Sequence, residues 1–299
     1  MIELGTNAPG EMKALCDIAR PNRALLTNVG RAHLEGFGTL EAVAREKGAL
    51  VEAVGDQGTF YVNVDNPFCV RIAEAFEGTC VTYGTGESAV WRATGIESRL
   101  DAASSTFTVE QLGTFTVPLL GAHNVMNALA AVAVSADFGL SPQKIQEGLD
   151  GAQTPPMRMK SVRKGGRVFL NDAYNANPES MRAAIDALVS WEGAGRTIAV
   201  LGDMLELGEA SASEHEELGR IVARKGVDLV FVLGQFARNV AEGAAHENMS
   251  TDAVAVCKDH ADAARLLVSV SAPGDVILVK GSRAVAMERV LEEFDSVLN

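Results

Sequence analysis

Short apolar runs alternate with helical patterns through the second half of the chain. The runs at 168–172, 197–201, 228–233, 253–256 and 276–279 are rich in Val, Ile, Leu and Ala. Between and after them, apolar residues recur at three- and four-residue spacing over about 178–188, 213–225, 236–244, 261–270 and 284–294. Such alternation predicts βαβ crossovers and a mostly parallel sheet covered on both faces, hence a Rossmann-like domain. The first of these helices has a clear start: Asn177 as cap, Pro178 at the first helical position, Glu179 at the positive end of the dipole, then Met181, Ile185 and Leu188 on one face.

The first half is mixed. Helices are predicted over 10–19 and 40–54, with strands over 24–28, 59–64 and 80–83. From 90 to 117 the pattern alternates residue by residue, which predicts an antiparallel hairpin, and an Ala-rich helix follows over 124–138, stopped by Gly139. The stretch 151–157 carries two prolines and no periodicity, so the boundary is drawn there, giving domains 1–152 and 153–299. The fold class is therefore α/β. No internal repeat or low-complexity segment is visible.

Composition narrows the function. The 299 residues are 47% hydrophobic and 22% charged, enough apolar material for two cores, and with 5% aromatics those cores must be aliphatic. A net charge of -13 repels phosphate backbones and anionic lipid, which argues against a nucleic-acid partner. No run reaches the ~18 apolar residues of a membrane span, so no membrane insertion is expected. The opening residues show no secretory signal, and Cys16, Cys69, Cys80 and Cys257 lack metal-site spacing, so reduced thiols and a cytoplasmic location are expected.

Candidate chemistry sits at predicted strand ends, where open α/β sheets bind ligands. Glu3, Asn28, Asp172 and Asp203 each follow or end such a run. Taken singly, each is explained more readily by a cap or turn, His33 by a satisfied loop histidine and Lys47 by a surface lysine. Grouped, they say more. The loop Thr27-Asn-Val-Gly-Arg-Ala-His-Leu-Glu-Gly-Phe-Gly38 offers a histidine and a carboxylate. Gly121-Ala-His-Asn-Val-Met-Asn127 puts Asn124 and Asn127 at a helix start, and Asn171-Asp-Ala-Tyr-Asn-Ala-Asn-Pro178 crowds Asp172, Tyr174 and Asn175 into a strand-to-helix turn. Lys280-Gly-Ser-Arg283 places two cations and a hydroxyl ahead of the last helix. Jointly these predict an anionic, purine-bearing ligand held between two domains.

With Glu3-Leu-Gly, Ala44-Arg-Glu-Lys-Gly48 and Leu201-Gly-Asp-Met-Leu-Glu-Leu-Gly208 added, the chain resembles the Mur ligase family along essentially its whole length. The resemblance implies a central ATPase domain followed by the family's Rossmann-like C-terminal domain. It implies a ligase that uses ATP and Mg²⁺ to join an amine to a carboxylate through an acyl phosphate. The 201–208 and 174–178 strings point to the branch that adds D-alanyl-D-alanine to UDP-N-acetylmuramoyl-tripeptide in peptidoglycan precursor synthesis, typically as a monomer. By resemblance, Glu3, His33 and Lys47 serve the metal, Lys47 as the lysine that becomes carbamylated. His33, Lys47 and Arg158 are the catalytic candidates, Arg158 reaching the γ-phosphate. Asn124 and Asn127 would lie by the adenine, Asp172 would bind ribose, and Tyr174 and Asn175 would border the nucleotide. Lys280, Ser282 and Arg283 would face the dipeptide. Glu206, His215 and Arg283 are explained equally well by capping or surface pairing.

One departure stands out. The family's UDP-sugar domain and its Gly-x-x-Gly-Lys-[Ser/Thr] P-loop have no counterpart in these residues, and Gly84-Thr-Gly86 lacks the lysine and hydroxyl. The chain reads as the C-terminal two-thirds of such a ligase, truncated within its central domain, and is expected to lack ligase activity by itself. It is also expected to be prone to association at an exposed strand edge, with residues after about 157 the more stable part. Two alternatives stay open: a catalytically silent nucleotide- or dipeptide-binding fragment, and another amide ligase of the superfamily.

Overall fold

A computed structural model describes residues 1–299 except 32, 100–103, 154, 155, 192, 194 and 299. The predicted boundary at 152–153 adjoins, and the linker over 151–157 includes, residues outside that description. The chain divides into two compact units, Met1–Gln153 and Thr154–Asn299.

Unit 1 contains α1 (Glu11–Ala19), β1 (Arg23–Leu26), α2 (Leu34–Phe37), α3 (Leu40–Val54), β2 (Thr59–Asn63), α4 (Pro67–Glu74), β3 (Thr79–Gly84), β4 (Trp91–Arg99), β5 (Ser104–Val109), β6 (Gly113–Val117), α5 (Ala122–Asp137) and α6 (Pro142–Asp150). Its sheet runs in sequence order from β1 to β6. The β1–β2, β2–β3 and β3–β4 pairs are parallel, and β4–β5 and β5–β6 are antiparallel. The alternating stretch is thus a three-stranded meander rather than a single hairpin. Val125, Leu129 and Val132 of the Ala-rich α5 pack with Tyr61, Tyr83, Phe107 and Phe115 in one core. A second core joins Val43 and Val51 of α3 and Cys69 of α4 to Phe60 and Val62. The β6 edge is covered by α6, whose Gln146 amide donates to the Thr116 carbonyl (2.8 Å) and accepts its N–H (3.0 Å), as a neighbouring strand would.

Unit 2 contains β7 (Lys160–Lys164), β8 (Arg167–Asp172), α7 (Pro178–Val189), β9 (Thr197–Leu201), α8 (Ser211–Arg224), β10 (Leu229–Val232), α9 (Ala237–His246), β11 (Val254–Val256), α10 (His260–Val270), β12 (Val276–Lys280) and α11 (Arg289–Leu298). The sheet order is β11-β10-β9-β12-β8-β7, with only β7 antiparallel. Helices α10 and α11 pack on each other and, through Ala263, Leu267, Val290 and Phe294, on Phe169, Ile198, Val200 and Ile277 of the sheet. Helices α7, α8 and α9 form a second packed set, with α7 against β12 and β9. The predicted cap of α7 is present as a capping box: Asn177 Oδ1 accepts the Ser180 N–H at 2.8 Å, and Ser180 Oγ accepts the Asn177 N–H at 3.0 Å.

The final helix starts at Arg289, not near 284. Residues 283–285 form a 3-10 turn and Ala286 takes a left-handed conformation (φ 54°), which interrupts the helix that the apolar spacing predicts. Four elements escape the periodicity altogether: the single-turn α2; α4 and α6, which are short and begin with Pro; and the polar edge strand β7.

Candidate active site

Strands β8 and β12 are parallel neighbours, and Asp172 and Lys280 are register partners at their C-terminal ends. The chain leaves β8 into α7 and leaves β12 toward α11, helices that belong to the two different packed sets. Such a divergence between adjacent strands opens a crevice beyond their carboxyl ends, the usual ligand position in open α/β sheets. Lys280 Nζ lies 2.5 Å from Asp172 Oδ2 and 3.0 Å from the Asn175 carbonyl, and Asp172 Oδ1 accepts the Met159 N–H at 2.9 Å. Lys280 is 2% exposed. Burial pulls its pKa down against the opposing influence of the Asp172 carboxylate.

Around this pair the crevice is basic and aromatic. The Arg158 guanidinium lies over the Tyr174 ring, 4.2 Å from its centroid, and Tyr174 and Asn175 are exposed. Arg283 donates to Glu288 Oε1 at 2.5 Å, to the Ala173 carbonyl at 3.5 Å and to Met157 Sδ at 3.3 Å; the bond to Glu288 raises its pKa. Ser282 is buried, and its hydroxyl is committed twice, accepting the Leu205 N–H (2.8 Å) and donating to the Ala176 carbonyl (3.3 Å). Of the residues expected from sequence, Asp172 with Lys280 and Arg158 with Tyr174 are brought into direct contact. Asn175 joins the first pair through its carbonyl, while its side chain accepts the Ala176 N–H at 2.9 Å.

In unit 1, Lys47 on α3 points to the loop after β1, where Nζ donates to the Asn28 carbonyl at 3.0 Å. Burial lowers its pKa, so a larger share of the amine is neutral than in a surface lysine. The same loop is tied down by Asn66, which donates to the Asn28 side chain and, at 3.0 Å, to the Val29 carbonyl. His33 stands at the head of α2 in a left-handed conformation (φ 57°). Glu11 was not foreseen. Its carboxylate accepts the Asn7 and Ala8 N–H groups, and those bonds, with the nearby His33, hold its pKa below the usual range. Glu3 is exposed, ahead of α1. Asn124 and Asn127 lie in the first turns of α5; Asn124 donates to the Leu120 carbonyl at 2.8 Å and Asn127 is exposed. Among the described residues, no group of three or more His, Cys, Asp or Glu side chains converges as a metal site would.

Sequence reasoning named Asp203 as a strand-end carboxylate and left His215 evenly balanced between a functional role and capping or surface pairing; the structure buries both. Asp203 accepts the Gln235 and Phe236 N–H groups at 2.7 and 3.0 Å, and His215, 1% exposed, accepts the Met204 N–H at 2.9 Å. His215 falls at helical spacing with the buried Leu218, Gly219 and Val222 of α8, and that spacing is the signal its sequence position carries.

A family model described as the Mur ligase middle domain matches residues 1–135, and one described as Mur ligase, glutamate ligase domain, matches residues 157–283. The UDP-N-acetylmuramoyl-tripeptide--D-alanyl-D-alanine ligase of Bacillus subtilis is 34% identical over 295 residues, covering 98% of this chain and 63% of that protein. The protein of the same name from Escherichia coli is 32% identical over 305 residues, covering 97% of this chain and 64% of its own length. Among solved structures, MurF from Acinetobacter baumannii superposes with a TM-score of 0.88 at 32% identity, over 99% of this chain and 64% of that one. A MurF ligase from Thermotoga maritima in complex with ADP superposes at 0.84 with 29% identity, over 98% and 66% respectively. The chain thus spans just under two thirds of these relatives.

Proposed function

The chain belongs to the Mur ligase family, and we propose that it supplies the nucleotide- and acceptor-binding parts of a UDP-N-acetylmuramoyl-tripeptide:D-alanyl-D-alanine ligase. In that reaction a carboxylate oxygen of the tripeptide attacks the γ-phosphorus of ATP and ADP leaves. The amino nitrogen of D-alanyl-D-alanine then attacks the acyl carbon, loses its proton, and phosphate departs as the amide forms. The chemistry calls for cations facing phosphate and carboxylate oxygens, in a site that holds the developing oxyanion. One observation carries the reading: Arg158, Tyr174, Asp172 and Lys280 gather at the carboxyl ends of β8 and β12, in a chain whose relatives bear that name.

Arg158 is the residue free to turn from the Tyr174 face toward a phosphate, and Tyr174 offers a ring for a purine to border, with Asn175 beside it. The buried Asp172–Lys280 pair fixes the floor of the crevice; Asp172 reaches a ribose hydroxyl only by sharing its oxygens with Lys280 and the Met159 N–H. Arg283 faces the dipeptide carboxylate in this reading, and Ser282 orients the turn that carries it. Asn124 and Asn127 on α5 serve the adenine.

Magnesium fits the donor chemistry of unit 1 as an ion that keeps most of its waters and takes its other oxygens from phosphate. Glu3 is an exposed carboxylate, the His33 imidazole would serve through one of the ion's waters, and Lys47 has the lowered pKa that favours the neutral amine. Addition of that amine to CO₂ forms an N–C bond and releases a proton, turning a cation into a carbamate anion. When bound, the ion would neutralise phosphate charge. A cytoplasmic location accords with a nucleotide-sugar substrate, and no described helix is long and apolar enough to cross a membrane. A monomer is the state we propose.

Residues 1–299 carry no P-loop string, so by themselves they should bind nucleotide without sustained ligation. The same feature favours the second reading, a silent nucleotide- or dipeptide-binding fragment. Calorimetry with ADP, and mass detection of the pentapeptide product from ATP, UDP-N-acetylmuramoyl-tripeptide and D-alanyl-D-alanine, separate the cases. Uptake of ADP that falls about tenfold in Tyr174→Ala, and of a nonhydrolysable ATP analogue that falls about tenfold in Arg158→Ala, supports the site, by the scale of one lost ring or cation contact. Uptake insensitive to both substitutions refutes it. Product restored when a relative's P-loop segment is added in trans favours the ligase over the silent fragment.

A further inference from the structure

At the carboxyl end of the unit 2 sheet, one run of hydrogen bonds links the loops that follow β8, β9, β10 and β12. After β9, Asp203 accepts the N–H groups of Gln235 and Phe236 beyond β10, at 2.7 and 3.0 Å, and its carbonyl accepts the Ser282 N–H at 2.9 Å. Gly234 makes room for that carboxylate: at φ +121°, a Cβ there would lie 2.4 Å from Asp203 Cγ. The next N–H, of Met204, goes to His215 Nε2 at 2.9 Å, and that of Leu205 goes to Ser282 Oγ at 2.8 Å. Ser282 passes the chain on to the Ala176 carbonyl after β8. Between these anchors and the buried Leu207, Leu205 and Glu206 form an exposed tip, with Glu206 in a left-handed turn (φ 63°).

His215 is the only imidazole in this run, and its role is set by geometry. Nδ1 lies 2.6 Å from the Ser211 carbonyl one helical turn back, so Nδ1 carries the proton and Nε2 is left as an acceptor for Met204. The ring stacks on Phe236, centroids 4.8 Å apart. The charged groups facing it are Asp203, 3.8 Å away after β9, and Glu214 on its own helix; the loop between β10 and α9 presents the uncharged Phe236. We propose that His215 is a positioning residue: by holding the Met204 N–H it fixes the Leu205–Glu206 tip and, through Leu205 and Ser282, the Lys280–Arg283 turn in the arrangement that receives the amine acceptor. This deepens, and rests on, the ligase reading above.

Protonated His215 has no acceptor for Met204, and its Nε2 proton would turn to the Asp203 carboxylate, drawing it from the Gln235 and Phe236 amides. Burial lowers the His215 pKa, so the clamp holds at neutral pH and opens only in acid.

The test is amide exchange in the full chain, with calorimetry of ADP and D-alanyl-D-alanine. In His215→Leu, protection at Met204 and Leu205 should fall about tenfold or more, the scale of one lost buried hydrogen bond. Dipeptide affinity should fall about tenfold while ADP affinity stays within about twofold. His215→Gln, whose amide oxygen reaches the Nε2 position, should restore both; His215→Asn, which reaches only the Nδ1 position, should not. Unchanged protection in His215→Leu overturns the clamp. Lost protection with unchanged dipeptide affinity, or equal loss of ADP affinity, overturns the positioning role. Wild-type chain that takes up neither ligand overturns the ligase reading instead, and the exchange data then decide the clamp alone.

Discussion

Replacing Asp172 by Asn tests the floor of the crevice with almost no change of shape. The amide keeps an acceptor for the Met159 N–H but leaves the Lys280 ammonium, 2% exposed, with the Asn175 carbonyl as its remaining partner at 3.0 Å. At the 2.5 Å separation, Coulomb attraction with an effective dielectric of about 20 is on the order of 7 kcal/mol, most of it offset by desolvation of both ions. Removing one partner keeps the desolvation cost and loses the attraction, so Asp172→Asn should cost about 3–5 kcal/mol. Lys280→Met keeps the stem and removes the stranded charge, so the double variant Asp172→Asn/Lys280→Met should regain at least about 2 kcal/mol of that loss. Trp91 lies in unit 1 and Trp191 in unit 2, so a Trp91→Phe background lets the fluorescence of Trp191 follow unit 2 through urea unfolding. With a slope of about 1–3 kcal/mol per molar urea, the Asp172→Asn midpoint should drop by roughly 1–5 M. A drop worth less than about 1 kcal/mol, or a double variant no more stable than the single, would refute the assignment of a buried charged pair.

Other consequences are as direct. Burial alone would raise the Asp275 pKa, but the Ala272 N–H and the Arg196 side chain more than offset it, so its carboxyl titrates below the ordinary value of 3.8. The folded state then binds this proton less readily than the unfolded chain; the stabilisation is complete above that value and is lost as pH falls through the depressed one. Urea midpoints taken between pH 5 and pH 2 should therefore slope more steeply in the wild type than in Asp275→Asn. Asn177→Ala removes half of the capping box on α7 and should cost about 1 kcal/mol, read by the same unfolding signal. Helices α8 and α9 meet at Gly219 and Gly243, where a Cβ would lie 2.0 Å from the Val240 carbonyl oxygen and 1.9 Å from that of Glu216. Gly219→Ala must push the helices apart and should lower the unfolding free energy by about 1–3 kcal/mol, whereas Gly148→Ala, which meets nothing within 4 Å, should not.

Where hydrophobic pattern and caps agree, the sequence was enough. The strands 168–172, 197–201 and 276–279 and the Asn177–Pro178 helix start recur in the structure almost residue for residue, because each is decided by neighbours in the chain. The late start of α11 was not legible: Val285, Met287 and Val290 are apolar because they pack on Gly202 and the sheet, not because they share a helix face. The strand β7 was missed because its one sheet neighbour leaves it mostly polar. For the site, the residue types were legible and the pairings were not. Asp172 and Lys280 are 108 positions apart, and only the insertion of β12 beside β8 makes them partners. Ser282, expected to face the dipeptide, makes two hydroxyl bonds to loop backbone, a commitment that only the folded arrangement reveals.

The order β11-β10-β9-β12-β8-β7 puts the last-made strand in the middle. While the polypeptide is being synthesised, β8 and β9 emerge early yet lack the neighbour that separates them, and they stay unjoined until residues 276–280 have left the ribosome. The nascent chain must therefore keep more than a hundred residues of apolar strand and helix from wrong pairings, with closure delayed until β12 is out. A ribosome stalled before 276 should display a protease-sensitive chain, and one stalled far enough past 280 a resistant one.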